Sequence, residues 1–255
     1  MESQFFFPFG QSLKKVEQND RSSKEAFVLG VYASAVHARW IDKNGKQKIA
    51  ALAVASEPEI FWRGENAEEI INGIQIPSEL GKLTLPKDKR LNGPSGRALD
   101  EKYLKPLNLN RKTTWLCDLL PYSRVNENQK SAIEKHYTQD LIESNGLLKA
   151  TIPEFDKKEL NSESRREEIL LELENSKAEK LILLGDLPIK WFLRFFDKRF
   201  STLSQFGDTI DVYGREREIK INNKTYNVIA LCHPRQADRL GNSSKKWGEL
   251  HDEWI

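Results

Sequence analysis

Cysteine is almost absent: Cys117 and Cys232 are the only two in 255 residues. Two thiols cannot build a four-thiolate zinc or iron–sulfur centre, and they imply no disulfide framework. A reduced, cytoplasmic setting is the expectation. Long apolar runs are missing too. Nothing approaches the roughly 20 residues that cross a bilayer, and Phe5-Phe6-Phe7-Pro8-Phe9 is too short for a span or a leader. These rings read as part of an N-terminal arm, residues 1–24, packed on the body, with no membrane partner. Charge of one sign is also lacking, because 40 Lys and Arg face 38 Asp and Glu for a net +2. A histone-like polycation is excluded, so any nucleic-acid contact has to come from local basic patches. No GxxxxGK[ST] loop, HExxH motif or GxSxG elbow occurs, which removes support for P-loop NTPase, zinc-protease and α/β-hydrolase readings. No repeat or linker divides the chain, so a single domain over 1–255 is expected.

What is present is a moderate core with many rings. Apolar residues make up 38% of the chain, which has six Trp and twelve Phe against a mean hydropathy of -0.62. Short β-branched or leucine-rich runs at 26–29, 48–55, 59–62, 113–118, 181–184, 218–221 and 224–231 read as strands. Asn222-Asn223 turns the last two into a hairpin. Helical patterns fall at 66–74 (with Asn66 as cap), 95–107, 127–144, 189–196 and 243–254. Residues 153–180 carry so much charge that they read as a solvated helix and its approach loop. Strands alternating with helices predict an α/β fold, a three-layer α/β/α sandwich around a central, mainly parallel sheet.

The most informative stretch is Val228-Ile229-Ala230-Leu231-Cys232-His233-Pro234-Arg235. Pro234 cannot donate to a ladder, so pairing stops there and places His233 at the strand's carboxyl end. Ligands bind at that edge of open α/β sheets, and a histidine there can act as donor or acid. Three other strand ends carry unusual chemistry: Gly30-Val31-Tyr32-Ala33-Ser34, Cys117-Asp118 and Gly185-Asp186. Gly93-Pro94-Ser95-Gly96-Arg97 adds a helix start whose free N–H groups suit an anion or a base carbonyl.

In their order along residues 27–254, these motifs resemble the uracil-DNA glycosylase superfamily. Gly30 to Ser34 is similar to its first-strand motif. Leu91-Asn92-Gly93-Pro94-Ser95-Gly96-Arg97-Ala98-Leu99 is similar to its helix-opening segment. Asp118 stands where the family has a base-reading Asn, and His233-Pro234-Arg235-Gln236-Ala237 resembles the second active-site motif. The resemblance implies a monofunctional DNA glycosylase with a uracil-DNA glycosylase-like fold. Such an enzyme needs no metal or other cofactor, binds double- or single-stranded DNA and is expected to be a monomer. His233 would stabilise negative charge on the departing base. Gly30, Tyr32, Ala33, Leu91, Gly93 and Ser95 would line the base and sugar, with Ser34 or His37 holding the attacking water. Arg97, Arg235, Arg239, Leu240, Asn242 and Lys245 would contact DNA, with Leu240 or Arg239 as the wedge behind a flipped nucleotide. Lys89, Arg90, Arg111, Lys112 and Lys246 are further phosphate candidates.

Three departures redirect the expected substrate. Tyr32 replaces the family's water-positioning Asp or Asn, and no carboxylate lies between Gly30 and Trp40. Leu91 replaces a base-stacking ring, which widens the expected pocket. Asp118 replaces Asn; a carboxylate only accepts hydrogen bonds, and cytosine, unlike uracil, offers it an amino donor. A protonated Asp118 would imitate Asn, and that requires a raised pKa. The expected target is therefore a cytosine-type base, including 5-substituted forms such as those of phage DNA, which fits host defence. The rivals are uracil excision in repair, an inactive DNA-binding module of the same fold, and hydrolysis of a free nucleoside, against which the basic loop after His233 counts.

Overall fold

The computed structural model describes residues 5–239 and 244–255. In chain order the strands are β1 (Ala26–Tyr32), β2 (Ala35–Ile41), β3 (Gln47–Ser56), β4 (Lys82–Thr84), β5 (Thr114–Leu120), β6 (Lys180–Leu184), β7 (Arg217–Ile221) and β8 (Lys224–Leu231). The helices are α1 (Ala67–Asn72), α2 (Pro94–Ala98), α3 (Glu127–His136), α4 (Gln139–Ser144), α5 (Glu163–Ser176), α6 (Asp186–Trp191), α7 (Leu203–Phe206), α8 (Pro234–Ala237) and α9 (Ser244–Trp254). No helix among the described residues is long and apolar enough to cross a membrane.

The central sheet has the order β5-β1-β6-β8-β7, parallel except for the β7–β8 hairpin at one edge. With helices around it, the architecture is the predicted three-layer α/β/α sandwich. β1 is buried along its whole length up to Tyr32, as expected of an inner parallel strand covered on both faces. The parallel register brings the carboxyl ends of β5, β1, β6 and β8 to one edge.

β1 continues through Gly30 to Tyr32, where the sequence suggests a loop, and Ala33-Ser34 then passes the chain into β2, which the sequence reading misses. β2 joins β3 and β4 in a separate three-stranded antiparallel sheet. Phe9 packs edge-on against Trp40 of β2 at 5.3 Å and Tyr137 at 5.2 Å, and Phe7 is fully buried with Ala35, Ala53 and Val125. The aromatic arm is thus built into the small sheet's core.

Other expectations need correction. Residues 59–62 form a turn, not a strand, because Phe61 adopts a left-handed backbone at φ 51°, which breaks any ladder. Asn66 sits at the cap position of α1 without capping it by side chain. The predicted helix over 95–107 is three consecutive helical turns of different pitch. The one over 127–144 divides at Thr138, whose hydroxyl accepts from the Leu141 amide. Nor is α5 merely solvated. Ile169 and Leu173 are buried against the main core, and Arg165 and Glu172 lie beneath β5, with Trp115 Nε1 donating to Glu172 at 3.0 Å. A charged helix can therefore be a core helix when its charges pair with each other and with strand carbonyls.

Replacing Phe7 by Ala is expected to reduce the unfolding free energy by about 3–5 kcal/mol in a urea titration. A loss below about 1 kcal/mol would mean that the arm is a detachable appendage.

Candidate active site

The site begins with a missing side chain. Gly30 on β1 pairs in register with Asp118 on β5. A Cβ built on Gly30 would lie 2.2 Å from Asp118 Oδ1 and 2.6 Å from Phe61 Cζ. Asp118 and the Phe61 ring therefore share the space that any larger residue would fill. Tyr32, two residues on, lies on the same face of the sheet. Its half-exposed ring rests on Phe155 at a centroid distance of 5.0 Å. The left-handed turn at Phe61 is what delivers the Phe61 ring to Asp118. Leu91, which stands where a stacking ring is expected, is only half-buried, and the ring beside Asp118 comes from Phe61.

The Gly93 to Arg97 segment holds that turn in place. A Cβ on Gly96 would meet the Phe61 carbonyl at 2.1 Å, and one on Gly93 would meet the Arg63 and Gly64 backbone at 2.0–2.1 Å. The start of α2 thus faces backbone, with Ser95 half-buried beside it. Arg97 donates to the carbonyls of Arg63 and Asn92. Arg111 donates to the Phe61 carbonyl at 2.6 Å and pairs with Asp100 at 2.8 Å. Both arginines, expected on phosphates, donate to carbonyls that hold the turn.

Behind Asp118 lies the buried guanidinium of Arg165. It donates to the main-chain oxygens of Asp118 at 2.7 Å and Leu119 at 3.3 Å, and pairs with Glu172 at 3.2 Å. Asp118 is 3% exposed. Desolvation raises its pKa to about 7 despite the opposing charge of Arg165, with Glu172 adding to the rise. The residue lies inside β5.

Sequence reasoning overlooks Glu57. In the antiparallel β2–β3 register Ala35 faces Ser56, so Glu57 falls opposite Ser34 and its Oε1 accepts from the Ser34 amide at 2.9 Å. Ser34 is otherwise exposed, and its carbonyl accepts from the Ser123 hydroxyl. Burial first and the charge of Asp118 second push the Glu57 pKa well above the usual carboxyl value. The carboxyl missing from the first motif is thus present in space, 23 residues later. The sequence signal was an acid directly after a strand, before Pro58; the pairing that carries it to Ser34 is not local. His37 is placed differently. It is buried on β2, its main chain clasped by the Asn92 side chain at 2.8 and 3.0 Å and its Nε2 2.9 Å from Gln129 Nε2. Ala33 is buried, and its amide donates to Leu120.

His233 stands where expected, at the end of β8 and against Gly185 at the end of β6. Its amide donates to Gln236 Oε1 at 3.0 Å, and its Nδ1 accepts from the Arg235 amide at 3.2 Å. That acceptor role places the proton of the neutral ring on Nε2. Burial, with Arg235 contributing, depresses the ring's pKa to about 4, so His233 is a neutral Nε2–H donor at physiological pH. At the neighbouring strand end the Asp186 carboxyl is used structurally, accepting from Leu203 at the start of α7 at 2.6 Å.

Of the basic candidates, Arg239 pairs with Asp252 at 2.7 Å, Lys246 with Asp208 at 2.8 Å and Arg90 with Asp88 at 2.9 Å. Arg235, Lys245, Lys89 and Lys112 are exposed, and none has an ion-pair partner among the described residues. Leu240 and Asn242 lie outside the described residues. An open cleft of about 1340 Å³ lies beside the helix-opening motif, lined in part by Gly64, Lys87, Lys89, Arg90, Asn92 and Arg97. Asp118 and His233 do not line it. No protein-family model and no curated protein matches the chain.

Because the Asp118 pKa is raised on folding from 3.8 to about 7, the unfolded chain ionises it more easily, and stability declines as pH climbs through that interval. Asp118→Asn is expected to be more stable than wild type by on the order of 4 kcal/mol near pH 8, with the difference disappearing near pH 4. Urea titrations at both values measure it; an equal difference at the two pH values contradicts the shift.

Proposed function

We propose that the protein is a monofunctional DNA glycosylase that hydrolyses the N-glycosidic bond of a flipped, cytosine-type pyrimidine and leaves an abasic site. The observation carrying this reading is the buried, readily protonated Asp118 beside an aromatic ring, at the same sheet edge as a neutral histidine donor. β5 and β8 are three strand spacings apart, roughly 14 Å, a span on the scale of one nucleotide.

In the reaction the C1′–N1 bond breaks and its electron pair leaves with the base. The sugar becomes oxocarbenium-like, and negative charge gathers on the base oxygen. His233 Nε2–H donates to that oxygen, a contact that strengthens only as the charge develops. Asp118 reads the opposite edge. As a neutral acid its O–H donates to N3 and its C=O accepts from the exocyclic amine; as an anion it still accepts from the amine. Phe61 offers its face to the base. Glu57, held on the Ser34 amide, takes the water-holding role that Tyr32 cannot fill. A neutral acid is a poor base, so water adds to a sugar already largely dissociated from the base, and the proton it loses ends on the departed base anion. Exposed Arg235 and Lys245 follow the phosphates. The cytosine reading rests on Asp118, and the 5-substituted forms on the smaller Leu91 in place of a ring.

His233→Ala is expected to lower the rate of base release about 10²–10³-fold while leaving the Kd for DNA within a few-fold. Release is read by mass spectrometry on duplexes carrying uracil, cytosine or 5-substituted cytosine. Wild-type protein that binds DNA and frees no base would instead be the binding module. The pH dependence separates the bases. Uracil needs a proton on Asp118 to satisfy its O4, so its release declines as pH rises through about 7, whereas release of a cytosine-type base persists. Strong uracil release that is flat across this range, with none from the cytosines, would sink the cytosine reading.

A further inference from the structure

One residue before His233, the Cys232 peptide is gripped on both sides by buried groups. Its N–H donates to Tyr213 Oη at 2.9 Å. Its C=O accepts from Tyr103 Oη–H at 2.9 Å. Tyr213 Oη is 2.8 Å from His251 Nδ1, and His251 Nε2 is 3.0 Å from the carbonyl of Lys102. The hydrogens have one consistent arrangement. The Cys232 amide can only donate, so the single Tyr213 hydrogen goes to His251 Nδ1. The Lys102 carbonyl can only accept, so Nε2 carries the imidazole's hydrogen. Every group in this relay is satisfied, which matters because His251 and Tyr103 are wholly buried and Tyr213 nearly so.

The relay joins three separate pieces of chain at one peptide. Tyr213 comes from the turn before β7, Tyr103 and Lys102 from the helical segment after α2, and His251 from α9. Tyr103 and His251 stack at a centroid distance of 4.3 Å. Beyond the relay, Lys102 Nζ also binds Asp238 Oδ1 at 2.9 Å, while Arg239 pairs with Asp252 of α9. The polypeptide on both sides of His233 is therefore tied to the C-terminal helix. The Arg235 amide on Nδ1 sets the rotation of the imidazole, Gln236 holds the His233 amide, and the relay sets where the Cα stands.

We infer that Tyr213 and His251 are positioning residues for His233, so that the C-terminal helix forms part of the catalytic apparatus. The inference rests on the proposed role of His233 as donor to the leaving base. Its physical basis is the sensitivity of a donor to displacement: a shift of about 1 Å costs on the order of 10²-fold in rate.

Tyr213→Phe removes the shared oxygen and leaves the Cys232 amide and His251 Nδ1 without partners. The expected result is a fall in kcat for base release of about 10- to 100-fold with the Kd for DNA unchanged within twofold. The His233 titration midpoint, followed by its ring proton resonances, should also move from about 4 toward the ordinary value as its surroundings loosen, Arg235 being the charge beside it. His251 gives a second series that keeps the test open if the tyrosine variant does not fold. Gln offers an acceptor and a donor in place of the two ring nitrogens and should retain most of the rate, whereas Leu should lose it. The inference is overturned if the His233 midpoint stays near 4 in Tyr213→Phe, or if His251→Gln and His251→Leu are equally active. Absence of base release by wild-type protein would refute the proposed reaction alone, because the titration still reads the position of His233.

Discussion

A carboxyl group without a charged partner at its oxygens is forced into this fold by the absence of a side chain at Gly30. Asp118 and Phe61 occupy that space together, and the carboxyl is almost entirely removed from solvent. Two consequences follow from this one constraint. The acid is easily protonated, which allows it to donate as well as accept. The ring is held beside the acid, so the polar edge and the apolar face of a planar ligand meet their complements in one place. Any residue larger than glycine would separate them.

Much of the surrounding structure exists to keep this arrangement still. Arg97 and Arg111 hold the carbonyls of the left-handed Phe61 turn, and Arg165 holds the carbonyls at the end of β5. Arg97 and Arg111, which the sequence offers as cations for phosphate, donate to carbonyls here, as Arg165 does, because a planar fork of donors suits clustered carbonyls. Glu57 belongs to the same scheme, since the hairpin that positions it also fixes the Ser34 backbone. On the far side of the sheet edge, His233 depends on α9 for its placement, so the site draws on residues from both ends of the chain.

The parallel sheet was legible because its strands are short apolar runs with breakers at their ends, and the His233-Pro234 terminus marked its own position. The β7–β8 hairpin was legible from Asn222-Asn223 for the same local reason. What escaped was whatever depended on pairing or on unusual backbone. β2 begins two residues after β1 ends and carries His37 and Arg39 within an alternating pattern that its neighbour β1 obscures. Phe61 looked like part of a strand because its ring is apolar, although its φ is positive. Glu57 became a site residue only through its register with Ser34. For α5, charge content suggested solvent, and only the tertiary structure reveals Arg165 and Glu172 paired beneath Trp115. The strand ends of the candidate site are therefore legible in the sequence, and its walls, which depend on pairing and backbone conformation, are not.

The proposed chemistry requires Asp118 to be an acid held neutral to near physiological pH by its burial. Carbon-13 NMR of the Asp118 carboxyl, assigned by comparison with Asp118→Asn and followed across pH, tests it directly. A midpoint near 7 is the predicted result. A midpoint near the ordinary aspartate value of about 4 would show a permanently ionised, solvated carboxylate and contradict the site as described.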